Sequence, residues 1–194
     1  MVFSGNDTLR LHGEALCASS PLPGAAHLVL DAPWGYALHT LPHLPRPVLV
    51  VTGVNSAPYL RDLVDLRPQG VIARPVGPQE VLAALGRVAE GECFYEGPVL
   101  EDGLLPCERA VLRRLAFGLE NAEIARELGV SRRTVENRVG ALREKLGLRG
   151  RVELALYYLG MHPRLWAGRG VMPAVPASSR PAPHSRGPAG TAGF

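Results

Sequence analysis

Lysine is almost absent from this chain: Lys145 stands alone beside twenty arginines in 194 residues. Cysteine is scarce too. Cys17, Cys93 and Cys107 are odd in number and widely spaced, which argues against a disulfide framework and against a zinc cluster. No apolar run approaches the roughly 18 residues that a bilayer-spanning helix needs. No basic stretch leading into an apolar one marks the N-terminus. Neither a membrane span nor a secretory leader is expected, and a cytoplasmic location follows. A phosphate-binding glycine loop, a nucleophile–base pair and a metal-ligand cluster are also missing. No enzymatic activity, cofactor or metal site is therefore expected.

What is present is unevenly placed. The net charge is +3. Residues 1–103 carry 6 Arg against 11 Asp and Glu, and residues 104–160 carry 10 Arg and Lys145 against 7 Glu. Residues 161–194 carry 4 Arg and no acid. An acidic first half joined to a basic second half points to a polyanion as partner of the second. The 46% hydrophobic content is that of a globular protein, and the length suits one large domain or two small ones.

Along residues 1–90 short apolar runs alternate with helical patterns. Residues 9–18 read as a helix, with Asp7 or Thr8 as N-cap. Residues 19–24 form a turn rich in Ser and Pro. His27–Leu30 is a short buried strand that ends at Asp31. Pro33, Trp34 and Gly35 break the chain, and Pro42, Pro45 and Pro47 forbid a long helix. Residues 47–52, PVLVVT, make the clearest strand, apolar and β-branched as if covered on both faces. Residues 57–66 read as a helix and 70–73 as a strand. Residues 78–89 form a helix opened by Pro78, with Val81, Leu82, Leu85 and Val88 on one stripe. This rhythm predicts a parallel α/β sheet. Residues 91–103 mix Gly, Pro and acids and read as a linker.

The run PVLVVTGVNSAPYLRDLVDLRPQGVIARPVGPQEVLAALGRVAEGE resembles the second half of a response-regulator receiver domain. The resemblance implies a flavodoxin-like sheet. It places a phosphoacceptor Asp at the end of the third strand, Thr or Ser at the end of the fourth and Lys at the end of the fifth. Those positions here hold Asp31, Thr52 and Arg74, the last two 22 positions apart as the family spacing requires. The family's two Mg²⁺-binding acids match Gly5 and Asn6, which carry no carboxylate. Asn6 and Asp31 are 25 positions apart, so a strand–helix unit is missing. Phosphoryl transfer to Asp needs a divalent cation on hard carboxylate ligands. The expectation is a truncated, degenerate receiver without a stable acyl-phosphate on Asp31. Asp31 then serves as a turn or cap residue, and Thr52 and Arg74 as structural or interaction residues. The domain becomes a platform for dimerisation or for sensing a ligand, a sensor or another regulatory protein.

Residues 104–160 read as four helices in a tight row. The first covers 108–117, just behind Pro106, with Val111, Leu112 and Leu115 inward. Asn121 caps the second, 122–128, and Gly129 suits a helix C-terminus with positive φ. Ser131 caps the third, 132–146. Its Val135, Val139, Leu142 and Leu146 face the core. Arg133, Glu136, Asn137, Gly140, Arg143 and Glu144 face away. The fourth covers 151–159. A helix about 10–12 Å across fits a major groove about 12 Å wide. The third helix's N-terminus, with Ser131, Arg132, Arg133 and Thr134, offers free N–H groups to a phosphate. Asn137 can bridge an adenine edge, Gly140 leaves room for close backbone approach, and Lys145, Arg149 and Arg151 can neutralise phosphates.

This segment is similar to the LuxR/NarL-type helix-turn-helix, with matches at Leu104, Pro106, Glu108, Arg109, Val111, Leu112, Gly118, Asn121, Glu123, Ile124, Ala125, Leu128, Ser131, Thr134, Val135, Lys145, Leu146, Gly147 and Arg151. The resemblance implies a bacterial transcription regulator that binds double-stranded DNA and dimerises on it through residues 151–159. It puts base reading on Glu136, Asn137 and Gly140, and phosphate contact on Ser131, Thr134 and Lys145. It gives Glu108 and Arg151 internal packing and ion pairing. The family's usual His is Arg138 here, its usual Asn is Gly150, and Glu136 stands where a basic residue is common. The chain is thus expected to divide into a receiver-like domain at 1–90, a linker at 91–103, a DNA-binding domain at 104–160 and a tail at 161–194. The tail, rich in Pro, Gly, Ala and Ser, reads as disordered. Tyr157, Tyr158, Leu165 and Trp166 either pack back on the fourth helix or meet a partner. Two rivals stay open. One is a sigma-factor-like promoter module, for which no DNA-melting region precedes the motif. The other is a protein-interaction module that has lost DNA binding, which Glu136 and Gly140 permit.

Overall fold

Five parallel strands lie side by side in chain order: Val2–Phe3 (β1), His27–Leu30 (β2), Val48–Val51 (β3), Gly70–Ile72 (β4) and Phe94–Glu96 (β5). The computed structural model describes residues 1–18 and 26–165. The turn expected at 19–24 and the tail from Trp166 onward lie outside the described residues. Helices Asp7–Ala18 (α1), Tyr36–Thr40 (α2), Ala57–Asp65 (α3) and Pro78–Ala89 (α4) connect the strands. Strand side chains alternate between two buried faces. Leu28, Leu49 and Ile72 point to α4 and α1, while Val29, Val50 and Val71 point to α2 and α3. Burial on both faces explains the unbroken apolar run of β3. Among the described residues, no helix is long and apolar enough to cross a membrane.

Two expectations change here. The cap of α1 is Asn6, whose Oδ1 accepts from the Leu9 N–H at 3.1 Å, because the helix already begins at Asp7. The stretch expected as a linker contributes β5. Phe94 pairs with Gly70 and Glu96 with Ile72. A Cβ on Gly70 would lie 2.8 Å from Leu49 and Val88 and 2.9 Å from Phe94, so the missing side chain is what lets the Phe94 ring reach the core. The Arg87 guanidinium lies 3.8 Å from the centre of that ring and binds Glu96.

The strand order explains the short first half. A flavodoxin-like sheet runs 2-1-3-4-5. Removing its second strand leaves 1-3-4-5, and β5 then extends the far edge. All four crossovers now step in one direction, yet α1 and α4 cover one face and α2 and α3 the other. Equal steps on opposite faces have opposite hands. Two of the four are therefore left-handed, against the strong right-handed preference of such units.

Four further helices follow: Pro106–Ala116 (α5), Asn121–Leu128 (α6), Arg132–Leu146 (α7) and Arg151–Tyr158 (α8). Pro106 is the first residue of α5, where its missing N–H costs nothing. Glu120, rather than Asn121, precedes α6, and its N–H donates to Glu123 at 2.8 Å. Asn121 is freed to accept from Arg151 at 3.1 Å. One hydrophobic cluster runs from the α2–α3 face of the sheet into these helices. Gly35, at φ +96°, lets the Phe117 ring sit where a Cβ would be 2.6 Å from it. Tyr158 stacks edge-on against Tyr59 at 5.5 Å and donates to Asp62 at 2.6 Å. Arg109, only 12% exposed, joins Asp62, Asp65 and Asp102. Residues 161–165, expected within a disordered tail, continue in a turn, and the Leu165 carbonyl accepts from Asn55 at 2.8 Å.

Candidate nucleic-acid interface

The α6–turn–α7 unit is set by two local devices. Gly129 adopts φ +63° and closes α6, a conformation that glycine reaches without a Cβ clash. Ser131 then caps α7, its Oγ accepting from the Thr134 N–H at 3.0 Å and meeting the Thr134 hydroxyl at 2.8 Å. Val135 and Leu142 anchor α7 in the core beside Val111, Leu112, Leu115 and Ile124. Arg132, Arg133, Asn137, Arg143 and Glu144 stay exposed, with Thr134, Glu136, Arg138 and Gly140 half-buried.

Electrostatics separates these residues. Arg132 binds Glu136 one turn on at 2.9 Å, so the two charges offset each other on the exposed face. Arg133 and Arg143 make no ion pair among the described residues. Lys145, expected as a phosphate ligand and 42% exposed, donates to the buried Glu108 at 2.7 Å. Glu108 also accepts from the Leu105 N–H at 2.8 Å. Burial works to raise the Glu108 carboxyl, but Lys145 and that N–H hold it below its ordinary value. Arg151, read both as a phosphate neutraliser and as a residue of internal packing, bonds Asn121 and the Leu119 carbonyl. Arg149 remains exposed, paired with Glu153 at 3.4 Å. Gly140 has nothing within 4 Å of its would-be Cβ.

In the sheet the carboxyl ends of β2 and β3 bring Asp31 and Thr52 together. Asp31 Oδ2 accepts from the Thr52 hydroxyl at 2.7 Å and the Tyr59 hydroxyl at 2.6 Å, and Oδ1 from the Ala37 N–H at 2.9 Å. Burial, then Asp31, push the Tyr59 hydroxyl above its ordinary range, so it stays a donor. Arg74 does not join them. Its guanidinium binds Glu80 and Glu96 at 2.8 Å each.

A family model described as bacterial regulatory proteins, luxR family, matches residues 103–158. The nitrate/nitrite response regulator NarL of Escherichia coli is 31% identical over 164 residues, which are 72% of this chain and 75% of that protein. This chain belongs to the NarL-type response regulators of the luxR family. The transcriptional regulatory protein UhpA of Salmonella typhimurium is 34% identical over 127 residues, 61% of this response regulator and 65% of UhpA. The chain spans less than two thirds of the length of the first curated relatives it matches. A solved structure of RcsB from Salmonella enterica serovar Typhimurium, bound to promoter rprA, covers 75% of this chain and 81% of its own at 21% identity and TM-score 0.45.

The receiver-like half of this response regulator does not fit the divalent cation that such domains imply. Asp31 already accepts three hydrogen bonds. Asn6 caps α1 and Gly5 packs against Pro33. Among the described residues no group of three or more His, Cys, Asp or Glu could hold a metal ion. Sequence reasoning missed Tyr59, and it singled out Tyr158 for packing without its bond to Asp62. Both look like ordinary core aromatics, and the acids they serve lie 28 and 96 positions away. The Arg132–Glu136 pair had a visible signal in its four-residue spacing.

Proposed function

We propose that this response regulator is a sequence-specific DNA-binding transcription regulator, without enzymatic activity and not switched by phosphate on Asp31. Its helix α7 enters the major groove of double-stranded DNA. The observation that carries the reading is the α7 face. Ser131 caps a helix start that presents Arg132, Arg133 and Thr134, and exposed Asn137 follows one turn later. Asn137 reads a base edge, Glu136, Arg138 and Gly140 shape the approach, and Ser131, Thr134 and Arg133 hold phosphates. Lys145, neutralised by Glu108, supports the helix from behind. Arg143 and Arg149 extend the basic track. Two copies pair on DNA through residues 151–159, using the side that carries exposed Val152. Tyr158, on the other side, is occupied by Asp62. Residues 1–90 act as the receiving domain for a regulatory input, residues 104–160 as the DNA-binding domain, and the protein works in the cytoplasm.

The relatives support this reading, since UhpA is described as a transcriptional regulatory protein and the RcsB structure contains promoter DNA. A mobility-shift titration tests it. Asn137→Ala should weaken specific binding by about 1–3 kcal/mol and relax preference at one base pair. Arg133→Ala should lower affinity for all sequences and reduce the salt slope by about 1. Unchanged specific affinity in Asn137→Ala would remove Asn137 from the reading face.

A further inference from the structure

A cavity of about 620 Å³ opens at the carboxyl ends of β2, β3 and β4. This is the edge of a parallel sheet where α/β folds take their ligands, and the volume suits a drug-sized molecule. Its walls are mostly apolar. Trp34, 40% exposed, and Leu9, 43% exposed, stand among the lining residues as large hydrophobic groups left to water.

The polar groups around it are already engaged. Both Asp31 oxygens accept hydrogen bonds from Ala37, Thr52 and Tyr59. Arg74 is held by two glutamates. No uncommitted cation is left among the described lining residues, so a phosphoryl group or a carboxylate finds no counter-charge. One polar atom stands apart. Asn55 lines the cavity and donates its amide N–H to the Leu165 carbonyl. Its buried Oδ1 has no hydrogen-bond partner. A buried acceptor without a partner costs about 1–3 kcal/mol, which a ligand donor would recover once the Asn55 side chain turns this closed-off oxygen into the cavity.

We propose that this cavity binds an uncharged, largely apolar small molecule that carries a hydrogen-bond donor. Trp34 supplies the flat apolar wall, and Asn55 takes the donor. Gly160, just past α8, also lines the cavity, and Asn55 holds the segment that follows it. An occupant therefore touches both halves of the molecule. Control of DNA binding by the occupant rests on the function proposed above, whereas the binding itself does not.

1-Aminoanthracene, a planar uncharged dye with an N–H donor, probes the full-length protein without DNA. Saturable fluorescence enhancement with a micromolar Kd is expected. A Cβ on Gly53, another lining residue, would meet nothing within 4 Å, so the side chain of Gly53→Trp starts in open space and puts an indole into the cavity. Trp34→Ala removes the wall. Either variant, with an unchanged thermal melt, should weaken the dye at least about tenfold, roughly 1.4 kcal/mol. Non-saturable binding, native affinity in both variants, or displacement of the dye by millimolar inorganic phosphate would each overturn the proposal. The dye titration and the mobility shift are independent readouts, so failure of one leaves the other standing.

Discussion

Asp31 stands at the phosphoacceptor position and yet is a structural acceptor, receiving the Ala37 N–H and the Thr52 and Tyr59 hydroxyls. Asp31→Asn replaces one acceptor oxygen by an NH₂ that cannot accept. It should cost about 1–3 kcal/mol, read as a lower urea midpoint at unchanged m. Incubation with a small phosphodonor should leave the intact mass unaltered; a phosphoryl gain that disappears in Asp31→Asn would contradict this. Glu108 gives a pH signature. Its folded pKa lies below its ordinary value, with Lys145 and the Leu105 N–H prevailing over burial. Its contribution is then complete above the unfolded pKa, near 4.3, and is lost as pH falls through the lower folded value. Urea melts across about pH 3–7 should show that loss in the native chain and a flatter profile in Glu108→Gln.

At the scale of elements, α7 depends on a single hydroxyl for its start. Ser131 satisfies the Thr134 N–H, and its replacement by Ala should cost about 1 kcal/mol. The same change removes a hydroxyl from the proposed phosphate-binding end. A comparison with Ser131→Asp, which restores the cap but adds negative charge, separates the two effects. Asp should recover the melting temperature and still weaken DNA binding. Strand β5 depends on a missing side chain. Gly70→Val would drive Cβ into Leu49, Val88 and Phe94 and should destabilise the sheet by about 1–3 kcal/mol, measured by thermal unfolding.

Across the whole molecule, the receiver-like sheet and the four helices share one hydrophobic cluster and one buried ion-pair network. A single cooperative unfolding transition is expected by calorimetry. Burial raises the Asp62 carboxyl, against Tyr158, Arg113 and Arg109. Arg109→Ala leaves Asp62 with weaker compensation and should cost about 3–5 kcal/mol. The native chain should melt in one step and Arg109→Ala in two, because the contact between halves fails before either core does. A single sharp transition in that variant would place the cooperativity in the apolar contacts alone.

How much of this was legible in the sequence follows from the range of each interaction. Ser131, Gly129, Pro78 and the alternation of β2, β3 and β4 act through neighbours within a turn or a strand, and their patterns are written locally. The chain by itself thus determined the parallel sheet, the helix-turn-helix and the family, along with the absence of carboxylates at Gly5 and Asn6. Strand β5 was hidden, because Phe94–Glu96 is half-buried and gains its place only from Gly70, 24 positions earlier. The tertiary structure alone decided which charges remain available. Lys145, its side chain still 42% exposed, is paired with Glu108, 37 positions away, whereas Arg151 meets Asn121, 30 positions away, in the internal role that its family-like identity implied. It also decided that Asp31 faces Tyr59 rather than a cation. A buried charge takes whatever partner folding brings within about 3 Å, and sequence spacing does not encode that distance.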